Sequence, residues 1–255
     1  MKRTKIAGIC TGITLTLVCL LCVKANAYDL AFPGGSLTLS GAKHGHDLAG
    51  PVRLILILTA LSLAPALIIS VTSFTRIIIV LSMLRQAIGM PNTPPNSVLI
   101  SLAIFLTIFS MGPVLSQLNN TVLKPYLAGQ LSDLDAAKSA EAPIKQFMES
   151  QVHDSDLSLM YQLSHEKFPQ SRDKIGLTEL IPAFMLGELK IAFQIGFVIF
   201  LPFVLIDMVV ASVLMSLGMI MVPPLAISLP LKVMMFVLID GWDLVAASIL
   251  HSFHG

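Results

Sequence analysis

The apolar sequence of the chain is interrupted at one short stretch, Gly218-Met219-Ile220-Met221-Val222-Pro223-Pro224. Because glycine and a proline pair do not readily continue an α-helix, we expect the preceding helix to end here. Long apolar runs flank the stretch at 183–217 and 225–250. The pattern therefore predicts a helical hairpin whose turn carries thioethers and an isoleucine. This turn is either an ordinary buried methionine cluster or the constriction of a conduit.

The composition is typical of a membrane protein. Of 255 residues, 55% are hydrophobic and 12% are charged, and the mean hydropathy is +0.83. Soluble domains carry about 25% charged residues. The net charge of +1 argues against a nucleic-acid partner. No phosphate-binding loop, nucleophile–base set or metal-ligand cluster is recognisable, so we predict no enzymatic activity, catalytic residue, cofactor or metal.

Residues 1–27 have the pattern of a secretory signal peptide. A basic start is followed by an apolar core and an Ala-x-Ala site, which places cleavage between Ala27 and Tyr28. The apolar core is longer than the usual ~7–15 residues, so an uncleaved anchor is the alternative. All three cysteines of the chain lie in this segment. A cleaved protein would therefore contain no disulfide or reactive thiol.

The remaining pattern predicts an all-α membrane protein with two long kinked helical hairpins and a small helical hydrophilic domain between them. A stretch rich in glycine and proline, 89–96, should end one helix. Asp154 or Ser155 should cap a helix of the hydrophilic domain. The predicted order is signal peptide 1–27, polar N-terminal segment 28–50, first hairpin 51–116, hydrophilic domain 117–181, second hairpin 182–250 and tail 251–255.

Charged side chains on the two last apolar runs predict protein packing instead of lipid contact. A turn between Met219 and Ile220 places Asp207 and Lys232 at equal distances from it, so we predict that they pair. Glu188 and Lys190 lie near the start of the first run. Only His251 lies at the level of Glu188, so its expected partner is Lys232 of a neighbouring subunit.

Two arginines, Arg76 and Arg85, lie on an otherwise apolar segment. They favour either a helix that leaves the bilayer on the cytoplasmic side or a protein–protein interface, where arginine suits bidentate pairing. The sequence leaves both possibilities open.

Several motifs across about residues 50–250 carry a resemblance to a known family. They are Thr72-Ser-Phe-Thr-Arg76-Ile-Ile-Ile-Val-Leu81 through Arg85-Gln86, Thr93-Pro-Pro-Asn96, Glu188-Leu-Lys190-x-Ala-Phe-Gln194-Ile-Gly196, Leu201-Pro-Phe203, Ile206-Asp207, Val210-Ala-Ser-Val-Leu-Met215, Leu229-Pro-x-Lys232 and Asp240-Gly-Trp242. Together they closely resemble the FliP family, the P component of the flagellar type III protein-export gate.

The resemblance implies a core gate subunit of the bacterial inner membrane, within the flagellar basal body and with its hydrophilic domain in the periplasm. It implies a ring-like helical assembly of copies, a pentamer in the family, with the Q and R gate subunits. A flagellar-type assembly factor and unfolded flagellar substrates in transit are the other implied partners. The residues implied to seal the closed pore are Met219, Ile220 and Met221, called the Met loop below. Ile220 departs from the methionine that many relatives have there.

Three other classes of function are alternatives to a flagellar gate subunit. An injectisome-type gate subunit is the nearest alternative, and a scaffold would differ only in whether the Met loop faces a lumen. A small-solute transporter should show inverted repeats. The hairpins 51–116 and 182–250 share little patterning, which argues against a transporter.

Overall fold

The computed structural model describes residues 29–32, 35–38, 49–169, 171, 174–219 and 221–253. The chain divides into two compact units, 1–64 and 65–255. The described elements are, in chain order, β1 (Asp29–Phe32), β2 (Gly35–Thr38), α1 (Ala49–Ser70), α2 (Phe74–Ile88), α3 (Asn96–Ser110), α4 (Gly112–Leu118), a π-helical turn (Asn119–Leu123), α5 (Lys124–Leu127), α6 (Asp133–Gln151), α7 (Asp154–Ser164), α8 (Leu177–Ser216), α9 (Pro224–Leu238) and α10 (Gly241–His251).

The first unit contains a short antiparallel hairpin that we did not predict for the polar segment 28–50. β1 pairs with β2 so that Asp29 lies opposite Thr38 and Phe32 lies opposite Gly35. The sequence Pro33-Gly34-Gly35, which joins β1 to the start of β2, is rich in turn residues, which is a recognised hairpin signal. The described elements other than this hairpin are helices, so the all-α prediction holds for the body of the chain. The predicted cleavage site, Ala27 and Tyr28, lies outside the described residues.

The helix stop predicted at 89–96 is confirmed. α2 ends at Gly89, which adopts φ +92°, a left-handed conformation that glycine reaches without strain. Its N–H donates to the carbonyls of Arg85 and Gln86, and α3 begins at Asn96. A further break at residues 71–73, between α1 and α2, was not predicted because the apolar sequence runs through it.

The predicted hydrophilic domain contains two main helices, α6 and α7, which pack on the first turns of α8. Ser132 Oγ caps α6 by accepting from the Asp135 N–H at 3.3 Å. The predicted cap of α7 is wrong by one or two residues, because the N-cap is His153, with extended backbone and no side-chain cap bond. The shared core of these helices contains Met148, Val152, Leu157, Tyr161, Ile175, Leu180, Ala183 and Phe184.

The predicted second hairpin consists of three helices. α8 is 40 residues long and remains one helix although Pro182 and Pro202 lie inside it. The expected single run after the turn is instead divided into α9 and α10, which meet at 66°. Asp240 adopts φ 50° at this break, and the Phe236 ring lies where a Cβ on Gly241 would stand. Backbone conformation and close packing therefore place a bend that hydropathy does not reveal.

Helix α2 lies at the centre of the second unit, between α3 and α8. Its buried side chains recur at helical spacing, at Ile77, Val80, Leu81 and Leu84. Since lipid tails are as apolar as leucine, burial of apolar area contributes little to helix association in a membrane. Close packing and polar contacts between helices therefore decide which faces meet.

Among the described helices, α8 is the single one that is long and apolar enough to cross a membrane by itself. Three bent pairs also pass this test when each is counted as one span: the α1 segment from Leu54 with α2, α3 with the segment Gly112–Leu127, and α9 with α10. Large apolar side chains are exposed along these helices, except on α2, whose apolar side chains are buried or half-buried. The described part of the chain thus presents an extensive apolar surface, as expected of a membrane-associated subunit.

Candidate functional site

The most buried charged group of the second unit is the pair of Arg76 on α2 and Glu188 on α8. Arg76 is 0% exposed and Glu188 is 1% exposed. Arg76 Nε donates to Glu188 Oε2 at 2.8 Å, and Arg76 Nη2 donates to Glu188 Oε1 at 2.5 Å. This fork-to-fork geometry is the strongest arrangement that a guanidinium and a carboxylate adopt.

The other donors of Arg76 bind two further segments of the chain. Arg76 Nη2 also donates to Gln151 Oε1 on α6 at 3.3 Å, and Nη1 donates to the carbonyl and hydroxyl oxygens of Ser252 at 2.8 and 2.9 Å. The Phe253 ring lies 3.8 Å from the guanidinium carbon, a cation–π contact. All five N–H donors of the guanidinium therefore have partners, as a fully buried arginine requires.

This arrangement corrects two of our predictions. Arg76 is enclosed within its own chain, so its side chain does not lie at an interface with another protein, and the cytoplasmic exit of its helix stays a prediction. Glu188 takes its charge partner from α2, not from Lys232 of a neighbouring subunit. The error arose because we aligned the second hairpin only with itself, whereas α2 packs along α8 and supplies the cation.

A second ion pair joins α8 to α9. Lys232 Nζ donates to Asp207 Oδ2 at 2.6 Å, with the two side chains 5% and 33% exposed. Phe203 and Phe236, one turn farther from the loop on each helix, lie with ring centroids 6.3 Å apart. Both contacts have the register that the predicted turn between Met219 and Ile220 implies. The structure thus brings Asp207 and Lys232 together within one chain.

The remaining predicted charges have other environments. Arg85 Nη1 donates to the Pro94 carbonyl at 3.1 Å and to Asn96 Oδ1 at 2.7 Å, so this arginine braces the turn from α2 to α3. Its role at an interface with another protein stays a prediction. Lys190 was expected in a buried charge pair, but its side chain is exposed on α8, two residues past the buried Glu188 and on another face of the helix.

The Met loop lies at the end of the hairpin beyond the Asp207–Lys232 pair. α8 ends at Ser216, and Gly218, two residues farther on, has a φ of +73° that allows the chain to turn. Met219 is 44% exposed and Met221 is 97% exposed. Ile220 lies outside the described residues. The described methionines of the loop are thus presented outward, which argues against the ordinary buried cluster.

Sequence reasoning missed three contributors to the buried cluster, namely Gln151, Ser252 and Phe253. The available signal was that a buried arginine on an apolar helix requires five acceptors, but the sequence does not say which residues supply them. Within the described residues, no group of three or more His, Cys, Asp or Glu side chains could hold a metal ion.

These features define a class of protein: a helical membrane subunit with buried ion pairs between helices and an apolar loop at one hairpin end. Comparison with known proteins specifies this class further. The FliP family profile matches residues 57–249. The chain is 49% identical over 207 residues to the flagellar biosynthetic protein FliP of Bacillus subtilis (strain 168), covering 81% of this chain and 94% of that protein.

Two further relatives carry the same name. The chain is 51% identical over 202 residues to the flagellar biosynthetic protein FliP of Caulobacter vibrioides, covering 79% of this chain and 76% of that protein. It is 46% identical over 211 residues to that of Aquifex aeolicus, covering 81% and 87%. The chain belongs to the FliP family.

Proposed function

We propose that this protein is a core subunit of the flagellar type III export gate. In this proposal it forms part of the wall of the channel that passes unfolded flagellar proteins across the bacterial inner membrane, and its Met loop forms the gasket of that channel. The observation that carries the proposal is the outward presentation of Met219 and Met221 at the end of a hairpin held by an ion pair. The flagellar names of the relatives favour a flagellar over an injectisome gate.

The chemistry of the loop suits a deformable seal. Methionine is unbranched and has three rotatable bonds, so its side chain adapts to contents of different shape. A ring of apolar side chains closes a narrow pore to ions by excluding water. Ile220 is branched and stiffer than methionine, and we infer that it makes the seal less compliant. A lumenal position gives a role to a side chain that is 97% exposed, Met221.

The proposed subunit works with partners. Copies of this chain, a pentamer by family resemblance, form a ring-like helical assembly with the Q and R gate subunits inside the basal body. The exposed apolar surface of α8 and of the bent pair α9–α10 offers contact area for such neighbours. A flagellar-type assembly factor acts during assembly, and the hydrophilic domain lies in the periplasm. Energy for transport comes from other components, since we assign no catalytic residue here.

A deletion tests the gasket. Removal of Met219 to Met221 should make membranes that contain assembled gates leaky to ions, because the apolar constriction is lost while the α8–α9 pair Asp207–Lys232 is kept. Ion flux into vesicles that carry the assembled gate measures the effect. A deletion of equal length in an exposed turn of the hydrophilic domain, 128–130, is the matched control. Equal flux in the two deletions would exclude the gasket role.

A further inference from the structure

Helix α8 carries one exposed cation within an apolar stripe. The exposed side chains Leu186, Phe193, Phe197 and Leu201 recur at intervals of seven, four and four residues and therefore share a face. Lys190 falls in the same series and is also exposed. A stripe of this kind, if it faced lipid, would place an ammonium group among acyl chains, where charge is costly.

Helix α10 carries a complementary stripe. Its exposed residues follow the same helical spacing and begin with two carboxylates; they are Asp240, Asp243, Leu244, Ala247, Ser248 and His251. Asp240 precedes the first turn with φ 50° and makes no side-chain cap bond, so its carboxylate is not used by its own helix. Asp243 lies one turn farther on the same exposed face. The adjoining apolar side chains Leu238, Ile239 and Trp242 are exposed as well.

These exposed charges of α8 and α10 have no partner in the part of the subunit that the structure describes. Among the described residues, Lys190, Asp240 and Asp243 make no side-chain hydrogen bond or ion pair, in contrast to the satisfied charges of Arg76, Glu188, Asp207 and Lys232. On α8, α9 and α10, the buried charges are thus paired, whereas one cation and two anions remain on the apolar surfaces of α8 and α10. The cation on the α8 face of one copy is therefore complementary to the anions on the α10 face of another copy.

We infer that Lys190 of one copy pairs with Asp243 of the next, with the exposed stripe of α8 packed against the exposed stripe of α10. This inference rests on the proposed assembly of copies and names the contact that builds it. Two different faces of each subunit meet, so the contact is heterologous and propagates into a ring or a helical assembly. Asp240 strengthens the negative field at the same end of α10. The contact also removes both kinds of unpaired charge from the apolar surface.

Disulfide crosslinking between two differently tagged chains tests the contact. The three native cysteines all lie in residues 1–27, so replacing them with serine leaves a clean background. One chain carries Lys190→Cys and the other carries Asp243→Cys, so that a crosslinked product of both tags is necessarily intermolecular. We expect such product at least tenfold above that of Lys138→Cys with Asp243→Cys, because Lys138 is an exposed lysine of the hydrophilic domain. Equal yields would overturn the inference.

Charge reversal gives a second, independent test. Lys190→Glu and Asp243→Lys should each lower the recovery of multi-copy complexes from detergent about tenfold, and the double variant should restore it. Both positions are exposed, so the thermal unfolding of the single subunit should stay unchanged in all three variants. If single reversals leave recovery unchanged, Lys190 faces lipid headgroups or water and the inference fails while the proposed gate stands. A wild-type chain that is purely monomeric would exclude both the inferred contact and the proposed gate.

Discussion

Arg76 and Glu188 are the residues on which the packing of the second unit depends. A buried ion pair is weak evidence for net stability, because desolvation offsets much of the attraction. Substitution of one partner alone is costly, since the other charge is then left buried without a partner. The pair therefore specifies which face of α2 meets α8, while apolar packing alone would tolerate other rotations.

We predict that Arg76→Lys destabilises the subunit by roughly 3 kcal/mol, although the charge is kept. An ammonium group has three donors on a flexible stem and cannot bind both Glu188 oxygens and Ser252 in one plane. Thermal unfolding in detergent micelles measures the loss. Arg85→Lys is the matched control and should change stability far less, because Arg85 makes two hydrogen bonds at a half-buried turn. Similar losses in both variants would contradict the assigned role of the buried cluster.

At the scale of elements, the contact of α2 with α8 depends on a small residue. Gly196 on α8 faces Met83 on α2 so closely that a Cβ at position 196 would overlap the Met83 side chain. Small residues at such crossings allow helices in membranes to approach and to gain packing contacts. The sequence shows this glycine within an apolar run, but only the structure shows which helix it accommodates.

We predict that Gly196→Leu costs roughly 1–3 kcal/mol, the usual penalty of overpacking. The added side chain displaces Met83 and separates α2 from α8 near the Arg76–Glu188 pair. Melting temperatures in detergent micelles report the effect. Met83→Ala in the same chain should recover most of the loss, because it vacates the occupied space. Failure of this rescue would show that Gly196 is needed for another reason.

At the scale of the whole second unit, Ser252 and Phe253 join parts of the chain that are distant in sequence. Phe253 is 8% exposed, packs in the core with α2, and accepts a hydrogen bond on its carbonyl from Gln151 Nε2 at 3.1 Å. The hydrophilic helix α6, the central helix α2 and the end of the second hairpin therefore share one cluster. The segment that we predicted as a mere tail, 251–255, is structural over its described residues.

We predict that Phe253→Ala costs roughly 3–5 kcal/mol, as truncation of a buried aromatic ring commonly does. The loss should also free Gln151, so that amides at the end of α6 exchange hydrogen faster. Hydrogen–deuterium exchange with mass spectrometry measures this, beside thermal unfolding. Phe105→Ala is the control, since that ring is 71% exposed on α3. Unchanged exchange in α6 would refute the coupling.

The sequence alone determined the helical class, the membrane composition and the helix break at the methionine-containing stretch, because hydropathy, glycine and proline act locally. It left open whether those methionines are buried, and only the structure presents Met219 and Met221 outward. It also determined the pairing of Asp207 with Lys232, since a hairpin register follows from its turn. Only the tertiary structure decided that Arg76 neutralises Glu188 with Gln151 and Ser252, and that Lys190 remains exposed. Those contacts join segments that are up to 176 residues apart. No periodicity along the chain specifies which distant helix supplies the partner of a buried charge.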